Sequence, residues 1–189
     1  MNEFKIGRTL IAQEEIEKRA EEIGCQITAD YTGKEVVLIG ILTGCVMWLA
    51  QVMKSIELET SIDFMSVSSY GEATTTSGIV RINKDLNHSI EGKHVIIIED
   101  IVDSGVTLEY LCKYLSGRNP ASLKVCTMLD KPSGRRVEFE VDYVGFKAPD
   151  AYIIGYGLDA DQRFRNLPYI AAIEDQLPPD DSEYGKEVD

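Results

Sequence analysis

The segment Val95-Ile96-Ile97-Ile98-Glu99-Asp100-Ile101-Val102-Asp103-Ser104-Gly105-Val106-Thr107-Leu108 concentrates residue types that can do chemistry. A β-branched run meets two adjacent acids, a third acid follows, and then comes Ser-Gly-x-Thr. Gly105 lets the backbone approach a ligand closely. At a helix N-terminus the amides of Ser104, Gly105, Val106 and Thr107 point outward, where the dipole favours an anion. The hydroxyls of Ser104 and Thr107 add donors, and a phosphate monoester fits that cradle. Three acids beside an anion cradle make sense once a sugar and a metal are added. Glu99 and Asp100 can accept hydrogen bonds from ribose hydroxyls, while Mg²⁺ bridges oxygen ligands to a diphosphate. Asp103-Ser104-Gly105 alone also suits a plain helix start with Asp103 as the capping acid. The whole unit demands more, because two carboxylates at the end of a dry strand cost stability unless ligands use them.

Such a unit needs a frame. The unbroken apolar run 95–98 predicts a central strand buried on both faces, as in parallel sheets. Leu108, Leu111, Cys112 and Leu115 make a helical stripe after it. Upstream, Ile16, Ala20, Ile23 and Ile27 predict a helix over 13–27, followed by a strand over 36–41 and a helix over 45–54. Further strands are expected at 62–67, 79–82, 123–128, 141–144, 152–155 and 170–173. Residues 68–78 are small, hydroxyl-rich and punctuated by glycines, which reads as a flexible loop of the kind that serves as a lid. Alternating strands and helices mean an α/β fold with a mainly parallel twisted sheet flanked by helices. Ligands on such sheets sit at the carboxyl ends of strands, so the loops after Ile41, Ile98 and Met128 are the places to look.

Composition narrows the field. The 189 residues suit one domain, taken as 1–173, and 174–189 read as an acidic, solvated tail carrying −6 of the net charge of −13 (seven acids, one Lys). That field repels phosphate backbones, so nucleic-acid binding is not expected. No apolar run approaches a membrane span and the N-terminal residues lack a leader's apolar core, so a cytoplasmic protein is expected. Cys25, Cys45, Cys112 and Cys126 show no metal or redox spacing and read as small hydrophobes in a reducing compartment.

The diphosphate-sugar unit resembles that of the type I phosphoribosyltransferase family. Over roughly residues 10–173 the likeness extends to the hypoxanthine (hypoxanthine-guanine) branch, through Ser68-Ser69-Tyr70-Gly71, the strand at 80–86, Leu129-Asp130-Lys131-Pro132, Val144-Gly145-Phe146, Pro149-Asp150, Gly155-Tyr156-Gly157-Leu158-Asp159 and Arg165-Asn166-Leu167-Pro168-Tyr169. The resemblance implies a small hood formed by N- and C-terminal segments, Mg²⁺ as cofactor, and a 6-oxopurine and 5-phosphoribosyl 1-diphosphate as substrates. It also implies a homodimer or homotetramer. Carried over residue by residue, it makes Asp103 the general acid/base at N7 of the purine. Lys131 would donate to O6, Tyr152 would stack on the base, and Ile153 would bond the base through its backbone. Glu99, Asp100 and Asp159 would hold Mg²⁺, with Asp159 also at the purine end of the site. Arg165 and the turn at Leu42-Thr43-Gly44 would meet the diphosphate, and Ser68, Ser69 and Tyr70 would belong to the lid.

One position departs: this chain has Thr43 where close relatives usually carry Lys. A xanthine- or guanine-preferring member of the same family is the nearest alternative and would differ at the base edge, residues 153–159. An RNA-reading protein of the same fold would need a basic face, and a plain structural module leaves the three acids unexplained.

Overall fold

The computed structural model describes residues 4–70 and 79–174. In chain order it has β1 (Ile6–Ile11), α1 (Gln13–Asp30), β2 (Val36–Leu42), α2 (Val46–Met53), β3 (Thr60–Tyr70), β4 (Ile79–Lys84), β5 (His94–Val102), α3 (Val106–Ser116), β6 (Ser122–Asp130), β7 (Tyr143–Lys147), β8 (Ile153–Ile154) and β9 (Ile170–Ile173). A 3-10 turn, Pro132–Gly134, follows β6.

The main sheet has six strands in the order β4-β3-β2-β5-β6-β7. Every neighbouring pair is parallel except β3 with β4. Side chains of β5 alternate between two cores. Ile96 and Ile98 pack with Ile16, Ile23 and Trp48 of α1 and α2, while Val95 and Ile97 pack with Leu108, Leu111 and Leu115 of α3. Period-2 alternation between two apolar layers explains why this strand has no polar face. Each such side chain contributes roughly 1.5–3 kcal/mol on burial.

Strand order locates the working edge. From β2 the chain moves outward through β3 and β4, then returns to β5 beside β2 and moves the other way through β6 and β7. The crevice at that reversal, outside the carboxyl ends, is where open α/β sheets bind ligands. Since Gly40 of β2 lies beside Ile98 of β5, the turn after β2 and the acids of β5 emerge there together.

A second sheet, antiparallel and ordered β1-β9-β8, joins the N-terminal strand to the late segments, the hood that the resemblance implies. Expectation and structure part in several places. β1 was not visible in the sequence: only Ile11 of it is buried, and pairing with β9 makes it a strand. Ser68, Ser69 and Tyr70 were expected in the lid loop, but they are the end of β3, paired with Arg81, Val80 and Ile79 of β4. Cross-strand pairing overrides the poor strand preference of serine. Residues 71–78 of the expected lid and 175–189 of the expected tail lie outside the described residues. The strand expected at 152–155 shortens to Ile153–Ile154, because Gly155 enters a turn with φ +98°. Of the cysteines, Cys45 and Cys126 are buried, Cys112 is intermediate and Cys25 is exposed.

Away from the crevice, β3 carries a buried acid. Asp63 accepts hydrogen bonds from the amides of Phe64 (2.7 Å), Asn87 (2.7 Å) and His88 (3.3 Å) and from Asn87 Nδ2 (3.0 Å). Lys84 Nζ stands 3.4 Å from it. Burial alone would raise its carboxyl, but these amides and Lys84 outweigh burial and hold it below the usual carboxylate range. The turn after β4 is thereby tied to β3. No helix of the described residues is long and apolar enough to cross a membrane.

Candidate active site

β5 delivers Glu99 and Asp100 to the crevice, and the turn into α3 delivers Asp103. Glu99 Oε2 is buried and has no hydrogen-bond partner. Burial pushes the Glu99 carboxyl well above its ordinary range, and the neighbouring Asp100 adds to that. Burial also raises Asp100, although its Oδ1 accepts the Ile101 amide at 2.8 Å. The Asp100 carboxylate lies against Gly44, where a Cβ would overlap it. Gly44 therefore lets the turn after β2 close onto β5. The Leu42–Thr43 peptide in that turn is cis.

Asp103 is exposed, and its carboxylate abuts Gly134 of the 3-10 turn, again where any Cβ would overlap. Gly105 caps α3 with φ +78°, a left-handed conformation that favours glycine. The Val106 amide donates to Ser104 Oγ at 3.4 Å. Glu99, Asp103, Ser104, Gly105 and Thr107 line one hollow. Thr43, Gly44, Glu99, Asp100, Thr107, Asp159 and Arg165 line an adjoining one of about 280 Å³. Glu99 and Thr107 border both.

Arg165 and Asp159 form one unit. Arg165 Nη1 donates to the Gly157 carbonyl at 2.6 Å, and Nη2 lies 2.6 Å from Asp159 Oδ1. Asp159 Oδ2 accepts the Gln162 amide at 2.7 Å. The chain around them turns through positive φ at Tyr156, Asp161, Gln162 and Phe164. The remaining expected purine residues lie outside both hollows. Lys131 Nζ pairs with Asp150 at 3.0 Å, and its amide donates to the Val102 carbonyl at 2.9 Å. Tyr152 is 44% exposed, with its hydroxyl 3.5 Å from the Asp159 carbonyl, while Ile153 is buried in β8. Val106 opens α3 without lining either hollow. Ser68 Oγ bonds Asn83 Oδ1 at 3.5 Å.

Val67, which no chemical signal marks in the sequence, lines the second hollow together with Ile41 and Leu42 at the end of β2. Their signal is positional: parallel pairing of Leu42 with Ser66 carries the ends of β2 and β3 to the same edge.

The donor set suits a hard cation. Glu99, Asp100 and Asp159 bring carboxylate oxygens to one hollow, and the orphaned Glu99 Oε2 is an oxygen without protein company. No group of three or more His, Cys, Asp or Glu among the described residues is placed to hold a metal ion by itself, so substrate oxygens and water would have to complete any shell. An open carboxylate shelf of this kind matches Mg²⁺, which keeps waters and substrate oxygens in its shell.

Residues 8–161 match the phosphoribosyl transferase domain family. Hypoxanthine-guanine phosphoribosyltransferase of Bacillus subtilis (strain 168) is 46% identical over 174 residues, 92% of this chain and 97% of that protein. The enzyme of that name from Streptococcus pneumoniae (strain ATCC BAA-255 / R6) is 42% identical over 177 residues, 94% of this chain and 98% of its own length. Among solved structures, a hypoxanthine-guanine phosphoribosyltransferase from Bacillus anthracis superposes with a TM-score of 0.86 at 43% identity, covering 89% of this chain and 99% of that one. A Staphylococcus aureus hypoxanthine phosphoribosyltransferase also gives 0.86, at 45% identity, over 89% and 91% of the two chains.

Proposed function

The chain belongs to the phosphoribosyl transferase family, and from that premise we infer that it is a purine-salvage enzyme, a hypoxanthine phosphoribosyltransferase. It moves the 5-phosphoribosyl group from 5-phosphoribosyl 1-diphosphate to N9 of hypoxanthine, and of guanine, giving IMP or GMP and diphosphate. The observation that carries this reading is the buried, unpartnered Glu99 oxygen beside an amide-lined helix start. A carboxylate left that way calls for hydroxyls or a cation from a ligand.

Each residue then has a task. The amides of Ser104, Gly105, Val106 and Thr107 hold the 5-phosphate at the start of α3. Glu99 and Asp100 accept from the ribose hydroxyls. Thr43, Gly44 and Arg165 border the hollow that takes the diphosphate. Lys131 donates to O6 of the base, which disfavours adenine because its amino group would face a donor. Tyr152, half out of the protein, offers an apolar ring to the purine face, and Ile153 bonds the base through its backbone. Asp103 receives or returns the proton at N7 while N9 closes on C1 of a ribose with oxocarbenium character. Glu99, Asp100 and Asp159 would hold Mg²⁺, which when bound neutralises charge on the diphosphate. A lid of the kind the family resemblance implies would keep water from the cationic sugar.

The enzyme works in the cytosol as a homodimer or homotetramer. Its four cysteines are free thiols, and burial pushes Cys112 up to about 11 and Cys126 up to about 12, as for packing residues. A competitive assay with hypoxanthine, guanine, xanthine and adenine tests the substrate. Turnover of hypoxanthine with adenine refused is expected. Preference for xanthine would move the chain to the xanthine-selective part of the family.

A further inference from the structure

We propose that Arg135 is a positioning residue that holds the turn 102–104 so that it presents both the Asp103 carboxylate and the amides of the phosphate cradle. The proposal rests on reading that turn as the acid and the cradle.

Arg135 follows the 3-10 turn, and its side chain is only 16% exposed. Nη1 donates to the carbonyls of Val102 (2.7 Å) and Asp103 (2.5 Å). Nε donates to the Phe139 carbonyl at 3.4 Å, and Nη2 pairs with Asp130. Asp130 is the last residue of β6 and lies in register with Val102, so the guanidinium is anchored to the sheet itself. The same segment supplies two more donors. The Lys131 amide reaches the Val102 carbonyl at 2.9 Å and the Arg136 amide reaches the Ser104 carbonyl at 3.0 Å.

Three successive carbonyls, those of Val102, Asp103 and Ser104, are thus drawn toward residues 131–136. In a trans peptide the C=O and the N–H point in opposite directions. Fixing those carbonyls on one side turns the amides of Asp103, Ser104 and Gly105 to the other. One guanidinium therefore serves two ends: it sets the amides and it steadies the backbone from which the Asp103 carboxylate projects. Gly134 completes the fit by leaving room for that carboxylate. A lysine would substitute only in part, since one ammonium lacks the planar fork that spans two carbonyls and Asp130 together.

The test compares Arg135→Met, Arg135→Ala and Arg135→Lys with Asp103→Asn, reading kcat and KM for each substrate alongside thermal unfolding. Arg135→Met is expected to lower kcat/KM for 5-phosphoribosyl 1-diphosphate on the order of 100-fold, the scale of a 1 Å misplacement. Arg135→Lys should fall between it and the parent, and millimolar guanidinium should restore about tenfold to Arg135→Ala. If a folded Arg135→Met or Arg135→Lys keeps kcat and KM within about twofold, Arg135 only stabilises the fold and the proposal is overturned, whatever happens to Tm. Should Arg135→Met not fold, Arg135→Lys and the guanidinium rescue decide. Loss of rate in Asp103→Asn but not in the Arg135 variants sinks this proposal alone; an unchanged Asp103→Asn sinks the reading of the turn.

Discussion

Asp63 on β3 and Glu99 on β5 belong to the same sheet and are treated in opposite ways. Asp63 is satisfied by three backbone amides, an amide side chain and Lys84, and its carboxyl is held low. Glu99 has a buried oxygen with no partner, and its carboxyl is pushed high. Burial acts against the charged form in both cases, so hydrogen bonding decides the outcome. An acid whose acceptors are all used by the protein is a fastener. An acid held dry and unpartnered stores a cost that a ligand can relieve.

The sharpest way to break that contrast is at the site itself. Asp103→Asn should lower kcat by about 10²–10⁴ with Tm unchanged, since a general acid/base supplies that range. Equal turnover in the variant would remove Asp103 from the chemistry. Asp63→Ala should do the reverse. It strands several buried donors and should cost about 3 kcal/mol in urea unfolding, while the folded fraction keeps its kcat/KM. Glu99→Gln tests the sign directly: stability without ligand should rise by about 1 kcal/mol as activity falls roughly tenfold. A destabilised Glu99→Gln would mean that the carboxylate is structural after all.

The smallest effect is the dependence on pH. The folded value of Asp63 lies below its unfolded one, so its contribution is complete above roughly pH 4 and is lost as pH falls through the folded value. For Glu99 the folded value lies above, so its contribution is complete below about pH 4 and is lost as pH rises through the folded value. Urea midpoints in metal-free buffer should therefore show a shallower acid decline in Asp63→Asn, with Glu22 and Asp85 keeping part of it, and a shallower decline toward neutrality in Glu99→Gln, with Asp100 keeping part of that. Profiles parallel to the parent would sink the assignment.

What the sequence reveals here depends on whether a signal is local. The run 95–98 declares a doubly buried strand, and Glu99, Asp100 and the Ser-Gly-x-Thr start of α3 follow from it by adjacency. β1 carries no such mark, because only Ile11 of it is buried and its existence depends on β9, more than 150 positions away. Ser68 to Tyr70 look like loop by composition and are strand by partnership with β4. The Asp159–Arg165 unit depends on residues at positive φ that nothing in Tyr156 or Phe164 announces. Arg135 is silent for another reason: three of its partners are carbonyls, which every residue possesses.

Gly44 stands against the Asp100 carboxylate and Gly134 against that of Asp103. At each position the acid and a side chain compete for one volume, so any larger residue must displace the carboxylate. Saturation libraries should favour glycine more strongly at 44 than at 134, where the exposed Asp103 side chain has room to swing aside. Thr43, with an exposed side chain one residue away, is under no such exclusion. Position 43 can therefore take other side chains without displacing the Asp100 carboxylate, whereas a side chain at 44 must push it aside.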